Sequence, residues 1–117
     1  MIPIHVSTKI GDKIEAEARD EILTFLCQSN LTVRLFSSEV EDSGLYIEEL
    51  RKLKPMPAHH SRASGHIEVN IESDGEELKL LIGRDSSRQN EFWIFYPKHK
   101  HTELNEVGRI ISDKILK

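Results

Sequence analysis

The sequence predicts an α+β domain: an antiparallel sheet of about four to five strands packed with an N-terminal and a C-terminal helix. Three observations predict it. Apolar residues recur at helical spacing near each end of the chain, the period drops to two between them, and 117 residues is a length at which one core can form without disulfides or metals. Residues 1–117 are therefore read as a single domain.

Each element follows from its local pattern. Ile2, Ile4 and Val6 alternate as in a short strand, which Pro3 would confine to an edge or a first position. From Asp12 to Ser29, Ile14, Ala18, Ile22, Phe25 and Leu26 share one helical face, with Asp12 as the cap and Asn30 as the stop. Leu31, Val33 and Leu35 then alternate with Thr32, Arg34 and Phe36 as a strand. Leu45, Tyr46, Ile47, Leu50 and Leu53 suit a short helix capped by Ser43 better than a strand, and Pro55 and Pro57 end it, leaving Ala58 to Gly65 as loop. The clearest signal is a hairpin: Ile67, Val69 and Ile71 alternate, Ser73-Asp74-Gly75-Glu76 turns, and Leu78, Leu80 and Ile82 resume. Arg84 to Asn90 connects it to Glu91–Tyr96, which is apolar on both faces and so calls for cover on both. Leu104, Val107, Ile111 and Ile115 then have the spacing of a helix from Thr102 to Leu116.

Composition excludes several classes. No run of about 18 apolar residues exists to span a membrane, and residues 1–9 lack the basic and apolar regions of a signal peptide. The single cysteine, Cys27, falls within a helical apolar pattern, reads as a small buried hydrophobe, and suits a reducing cytoplasm. His99 and His101 could present two imidazoles to one ion, and His59, His60 and His66 lie close together in sequence. No third ligand has an address in the pattern. There is no His-Glu-x-x-His, no paired-cysteine motif and no glycine-rich phosphate loop, so no catalytic residue, metal or cofactor is assigned.

Charge is the most informative feature. Residues 1–78 carry 8 Lys and Arg against 15 Asp and Glu, a net −7, whereas residues 79–117 carry 8 against 5, a net +3. Nucleic acid is disfavoured, because binding it requires a basic stripe that the acidic two thirds lack. Glu39, Glu41, Asp42, Glu48 and Glu49 form one acidic cluster. Glu68 and Glu72 belong to a second, around the hairpin, with Asp74, Glu76 and Glu77. Like charges held close together repel unless a basic partner compensates. Glu39, Glu41, Asp42, Glu48, Glu49, Glu68 and Glu72 are thus the candidate partner-binding residues, and Trp93 is a candidate aromatic anchor.

Small size, acidity, an α+β pattern and no catalytic signature together resemble the immunity proteins of bacterial toxin systems, such as those of contact-dependent growth inhibition. The resemblance spans the character of the whole chain and rests on no shared motif, so no functional residue carries over from it. It implies a cytoplasmic protein that binds one toxin domain, often a nuclease, and blocks its active site, with acidic residues meeting a basic surface. Type III secretion chaperones are similar in size and acidity, but this chain departs from them in its proline-containing loop, Lys54 to Gly65, and in lacking a second long helix between strands.

Overall fold

The computed structural model describes residues 2–36, 38–55, 63–98 and 106–116. Helix α1 (Ile2–Phe25) leads into β1 (Thr32–Leu35) and β2 (Ser38–Glu39). Helix α2 (Ser43–Leu50) follows, then β3 (Ala63–Ser73), β4 (Glu76–Asp85), β5 (Glu91–Phe95) and β6 (Gly108–Ile111). The strands form one sheet in the order β2-β1-β3-β4-β5-β6, each neighbouring pair antiparallel. The class is α+β, with six strands among the described residues rather than four or five.

Both chain ends differ from the sequence reading. Residues 2–6 belong to α1 instead of a strand, and Asp12 lies inside that helix instead of capping it. Three alternating residues are a weak strand signal, and once a helix is nucleated each added residue gains a hydrogen bond. At the other end, residues 108–111 form β6 instead of part of a helix, while residues 102–105, including Thr102 and Leu104, lie outside the described residues. Helical spacing there competes with β-branched Ile110 and Ile111 and with Gly108, all poor helix formers. Pairing with β5 decides the outcome: Phe92 faces Ile110, Ile94 faces Gly108, and the Val107 N–H donates to the Ile94 carbonyl at 2.8 Å.

The hairpin forms as its sequence dictates. Ser73 pairs with Glu76, so Asp74 and Gly75 make a two-residue turn, with φ of 46° and 86°. Left-handed geometry at both positions matches the twist of the flanking strands, and Asp-Gly tolerates it. The hairpin is longer than its alternation suggested. β3 begins at Ala63, within the expected loop whose residues 58–62 lie outside the described residues, and β4 runs on to Asp85. An irregularity between Ser64 and Ile67 accompanies Gly65 at φ 78°. A Cβ at Gly83 would come within 2.7 Å of the Ala63 Cβ and 2.8 Å of the Gly65 carbonyl oxygen, so glycine there admits the bulge.

One face of the sheet holds the core. Val33, Val69, Ile71, Leu78, Leu80, Ile82, Phe92, Ile94 and Ile110 meet Ala18, Ile22 and Leu26 of the α1 segment and Ile47 and Leu50 of α2, all buried. Each large side chain buried this way contributes roughly 1.5–3 kcal/mol. Past Phe25 the chain tightens into i to i−3 bonds, Cys27 N–H to Thr24 and Gln28 N–H to Phe25, both 3.2 Å, and Asn30 turns left-handed at φ 59°. The Leu26 carbonyl, at the end of the helical segment, is taken up by Arg51, through Nε at 3.0 Å and Nη2 at 2.6 Å. Cys27 is exposed in this turn and not buried in a helix. Asp42, and not Ser43, caps α2, its Oδ1 accepting from the Leu45 N–H at 3.0 Å; the Ser43 hydroxyl accepts from the Val33 N–H at 2.9 Å. Helix α2 touches both β1 and β6, so the sheet curves around it. No helix among the described residues is long and apolar enough to cross a membrane.

Candidate binding cleft

The partner-binding candidates singled out by sequence separate into two exposed sets and two buried residues. Glu39, Glu68 and Glu72 share the sheet face turned away from the helices. There Arg34 stands opposite both Glu39 and Asn70 in the strand register and bonds Glu72 at 3.2 Å. Among these three carboxylates, the Arg34 guanidinium answers that of Glu72. Glu41 and Asp42 are exposed in the turn before α2 and Glu48 is exposed on it, on the helix-bearing side. The cluster expected of Glu39, Glu41, Asp42, Glu48 and Glu49 is thus divided, with Glu39 on the opposite side of the sheet from the others.

Glu49 and Trp93 are buried, at 2% and 4% exposure, and neither offers a partner the surface expected of it. Glu49 accepts from the Ser112 hydroxyl at 2.6 Å and from Lys52 Nζ at 2.8 Å, tying α2 to the residue after β6. The Lys52 ammonium first, and then the Ser112 hydroxyl, hold its carboxyl below the usual carboxylate range. Trp93 points to the face opposite the core, where it stands across from Gly83 and Arg109. Beside it Phe95 meets the ring of His66 edge-on, with centroids 4.7 Å apart. Both faces of β5 are thus buried, as its two-sided apolar pattern requires.

His66 is the one sequence-noted histidine whose setting is seen, and it is an exposed side chain against an aromatic ring. His59, His60, His99 and His101 lie outside the described residues. No group of three His, Cys, Asp or Glu among the described residues is placed to hold a metal ion.

A different set of acidic residues does converge. Between the C-terminal half of α1 and the start of β4 lies a cleft of about 840 Å³, lined by Asp20, Glu21, Thr24, Phe25, Gln28, Glu76, Glu77, Leu78, Lys79, Tyr96 and Lys98. The helical period sets one wall: Asp20, Thr24 and Gln28 succeed one another at intervals of four, flanking the buried stripe of Ala18, Ile22 and Leu26. The two-residue hairpin turn sets the other, because it brings Glu76 and Glu77 into the strand facing that helix. Phe25, Leu78 and Tyr96 supply the apolar lining, each packed in or against the core.

Asp20, Glu21 and Glu76 stand with Lys98 here and are not equivalent, whereas Glu77, paired with Glu72 in the register, belongs with Lys79 to the opposite face of the sheet. Glu21 Oε2 accepts both the Tyr96 hydroxyl and Lys98 Nζ, the latter at 2.6 Å. Burial first, and then the Glu21 charge, push the Tyr96 hydroxyl above the usual tyrosine range, so it stays a neutral donor. Lys79 stands 3.9 Å from Glu77, at the limit of an ion pair. Asp20 and Glu76 are exposed, and neither makes an ion pair with another described residue. The cleft therefore combines an apolar lining, one settled carboxylate and two that make no ion pair among the described residues. Sequence reasoning included Glu76 and Glu77 in the hairpin cluster but did not select them, and it passed over Asp20 and Glu21. The signal that could have found the latter pair is their place on the polar flank of the first helix.

Comparison of the chain with protein-family models, with curated proteins and with solved structures finds no match.

Proposed function

We propose that this chain is a non-enzymatic protein-binding inhibitor, an immunity protein that neutralises a cognate toxin domain by presenting acidic side chains to its basic surface. The observation that carries this reading is the cleft between α1 and β4, where Asp20, Glu21 and Glu76 stand with Lys98 beside a partly apolar lining. Electrostatic complementarity of this kind speeds encounter with a basic partner, while desolvated apolar contacts slow its departure. The exposed Glu39, Glu41, Asp42, Glu48 and Glu68 lie elsewhere on the surface and would steer the approach without forming the main contact.

Protection is the test. Cells expressing the toxin domain encoded beside this chain should survive when the wild-type chain is co-expressed. Charge reversal in the cleft, Asp20→Lys with Glu76→Lys, should abolish survival, while reversal of Glu41 and Glu48 should weaken it only slightly. Survival unchanged by the cleft reversals, or no neighbouring toxin at all, would overturn the proposal.

A further inference from the structure

Strand β3 is longer than the neighbour that covers it on one side. It pairs with β4 from Ala63 to Ser73, apart from the irregularity between Ser64 and Ile67, whereas β1 covers only Val69 to Glu72. We propose that the uncovered edge of β3, residues 63–68, takes a short extended segment of a partner protein as an added strand. Apolar side chains of that segment alternate with a lysine or arginine. The cation meets Glu68 on the outer face of the sheet, and an apolar residue next to it reaches the pocket beside Ile67. This edge is separate from the cleft between α1 and β4, and the inference stands whether or not the cleft binds a toxin.

The backbone calls for an extended polypeptide. A hairpin closed by a two-residue turn starts its ladder with a doubly hydrogen-bonded pair, here Ser73 with Glu76, and such pairs recur at every second position. Ile71, Val69 and Ile67 therefore direct their N–H and C=O groups to β4, while Glu72, Asn70 and Glu68 direct theirs to the other side. On that side Thr32 pairs with Glu72 and Arg34 with Asn70, but Glu68 has no backbone partner among the described residues. Strand β1 leaves the line just there, because Phe36, at φ 53°, turns the chain away after Leu35. Gly65, His66 and Glu68 are exposed, and exposure of a glycine is exposure of backbone. Vacant amides and carbonyls along such an edge template an incoming strand.

The side chains decide what that strand carries. Glu68 stands beside Leu81 on β4, accepts from the Asn70 side-chain amide at 3.5 Å, and makes no ion pair with another described residue. A long cationic side chain reaches it from the directly opposed position of an added strand, about 5 Å away, or from a diagonal one at about 7–8 Å. The neighbouring residue of that strand turns to the other face. There Ile67 borders a pocket of about 410 Å³ completed by Ile82, Arg84, Phe92 and Leu116. Ile67 and Leu116 are half-buried and supply its accessible apolar surface, whereas Ile82 and Phe92 are buried. The Arg84 guanidinium lies 5.2 Å from the Phe92 ring and donates to the Leu116 carbonyl, which ties that wall together. A second copy of this chain is a poor occupant. Its own residues 63–68 hold no Lys or Arg to set against Glu68, and the irregularity at Gly65 disfavours flat pairing of two identical edges.

Amide exchange of the isotope-labelled full chain tests the vacancy: the Glu68 amide should exchange roughly tenfold or more faster than those of Val69 and Ile71. The probe is the blocked peptide acetyl-Leu-Lys-Leu-Thr-amide. Controls are acetyl-Leu-Glu-Leu-Thr-amide and the lysine peptide methylated on its lysine backbone nitrogen, the donor that would point to β3. The lysine peptide should slow exchange at Glu68 and shift amides within residues 63–69 and 81–84. The glutamate peptide should bind roughly tenfold more weakly, and the methylated peptide should not bind. Glu68→Pro removes a donor that β4 does not use, so it should abolish binding while the chain stays folded. Should that variant fail to fold, the methylated peptide on the wild-type chain carries the same comparison. A slowly exchanging Glu68 amide in the free chain, equal binding of the three peptides, or shifts absent or elsewhere would overturn the proposal. So would a dimer of the free chain that Glu68→Pro converts to monomer.

Discussion

Replacing Glu49 separates a structural carboxylate from a partner-facing one. Its Oε1 accepts from the Ser112 hydroxyl at 2.6 Å in a buried setting, a hydrogen bond to a charged group worth about 1.5–3 kcal/mol. Lys52, at 2.8 Å, is 51% exposed, so that pair adds only about 0.5 kcal/mol. A lost buried methylene adds about 0.8 kcal/mol. Glu49→Ala should therefore destabilise the fold by about 3 kcal/mol, and Glu49→Gln, which keeps an acceptor but loses the charge, by about 1–2 kcal/mol. Urea unfolding measures this as a lower midpoint at an unchanged slope. The pH dependence has a definite sign. Because the folded carboxyl titrates below its unfolded value, its contribution is fully present above the unfolded pKa and is lost as pH falls through the folded one. The gap between wild type and Glu49→Gln should thus narrow from about pH 5 downward. A loss under about 0.5 kcal/mol for Glu49→Ala, or a gap that does not change with pH, would refute the assignment.

Three further outcomes follow from the packing. Gly108→Ala should cost about 1–3 kcal/mol in thermal or urea unfolding, because the added Cβ would lie 2.6 Å from the Lys54 carbonyl oxygen and 2.8 Å from Leu53 Cδ1. Arg51→Ala should cost about 1–2 kcal/mol by opening the doubly bonded Leu26 carbonyl, and amide exchange at the end of α1 should accelerate. Phe36→Asn should stabilise the chain by about 0.5–1 kcal/mol, since Phe36 is 71% exposed at φ 53° just after β1; a lower urea midpoint would contradict this.

What was legible in the sequence is what is local. The β3–β4 hairpin reads directly because alternation, the Asp74-Gly75 turn and the register are all specified within neighbouring residues. The two-sided apolar pattern of Phe92 to Tyr96 foretold burial of both faces of β5, but the same rule argues against an exposed Trp93, and that conflict is resolved toward burial. Long-range pairing was not legible. Val107, Ile111 and Ile115 fit a helix as well as anything, until β5 offers Phe92 and Ile94 to Ile110 and Gly108. Glu49 looked like its neighbours in an acidic run because its partner, Ser112, is 63 residues away. The cleft was hidden for a related reason: Asp20 and Glu76 lie on elements whose approach is fixed by the shared core and not by any nearby motif.

The two rims of the sheet limit how this protein can associate. On one side β2 is only two residues long. On the other, Arg109 at the middle of β6 exchanges both backbone hydrogen bonds with Lys54, at 2.8 and 3.0 Å. Neither of these two strands offers a long ladder of vacant amides and carbonyls for an incoming chain to extend. At β2 and β6 copies of the molecule are thereby discouraged from templating one another, and recognition there falls to side-chain chemistry, which discriminates among sequences as strand addition through the backbone does not.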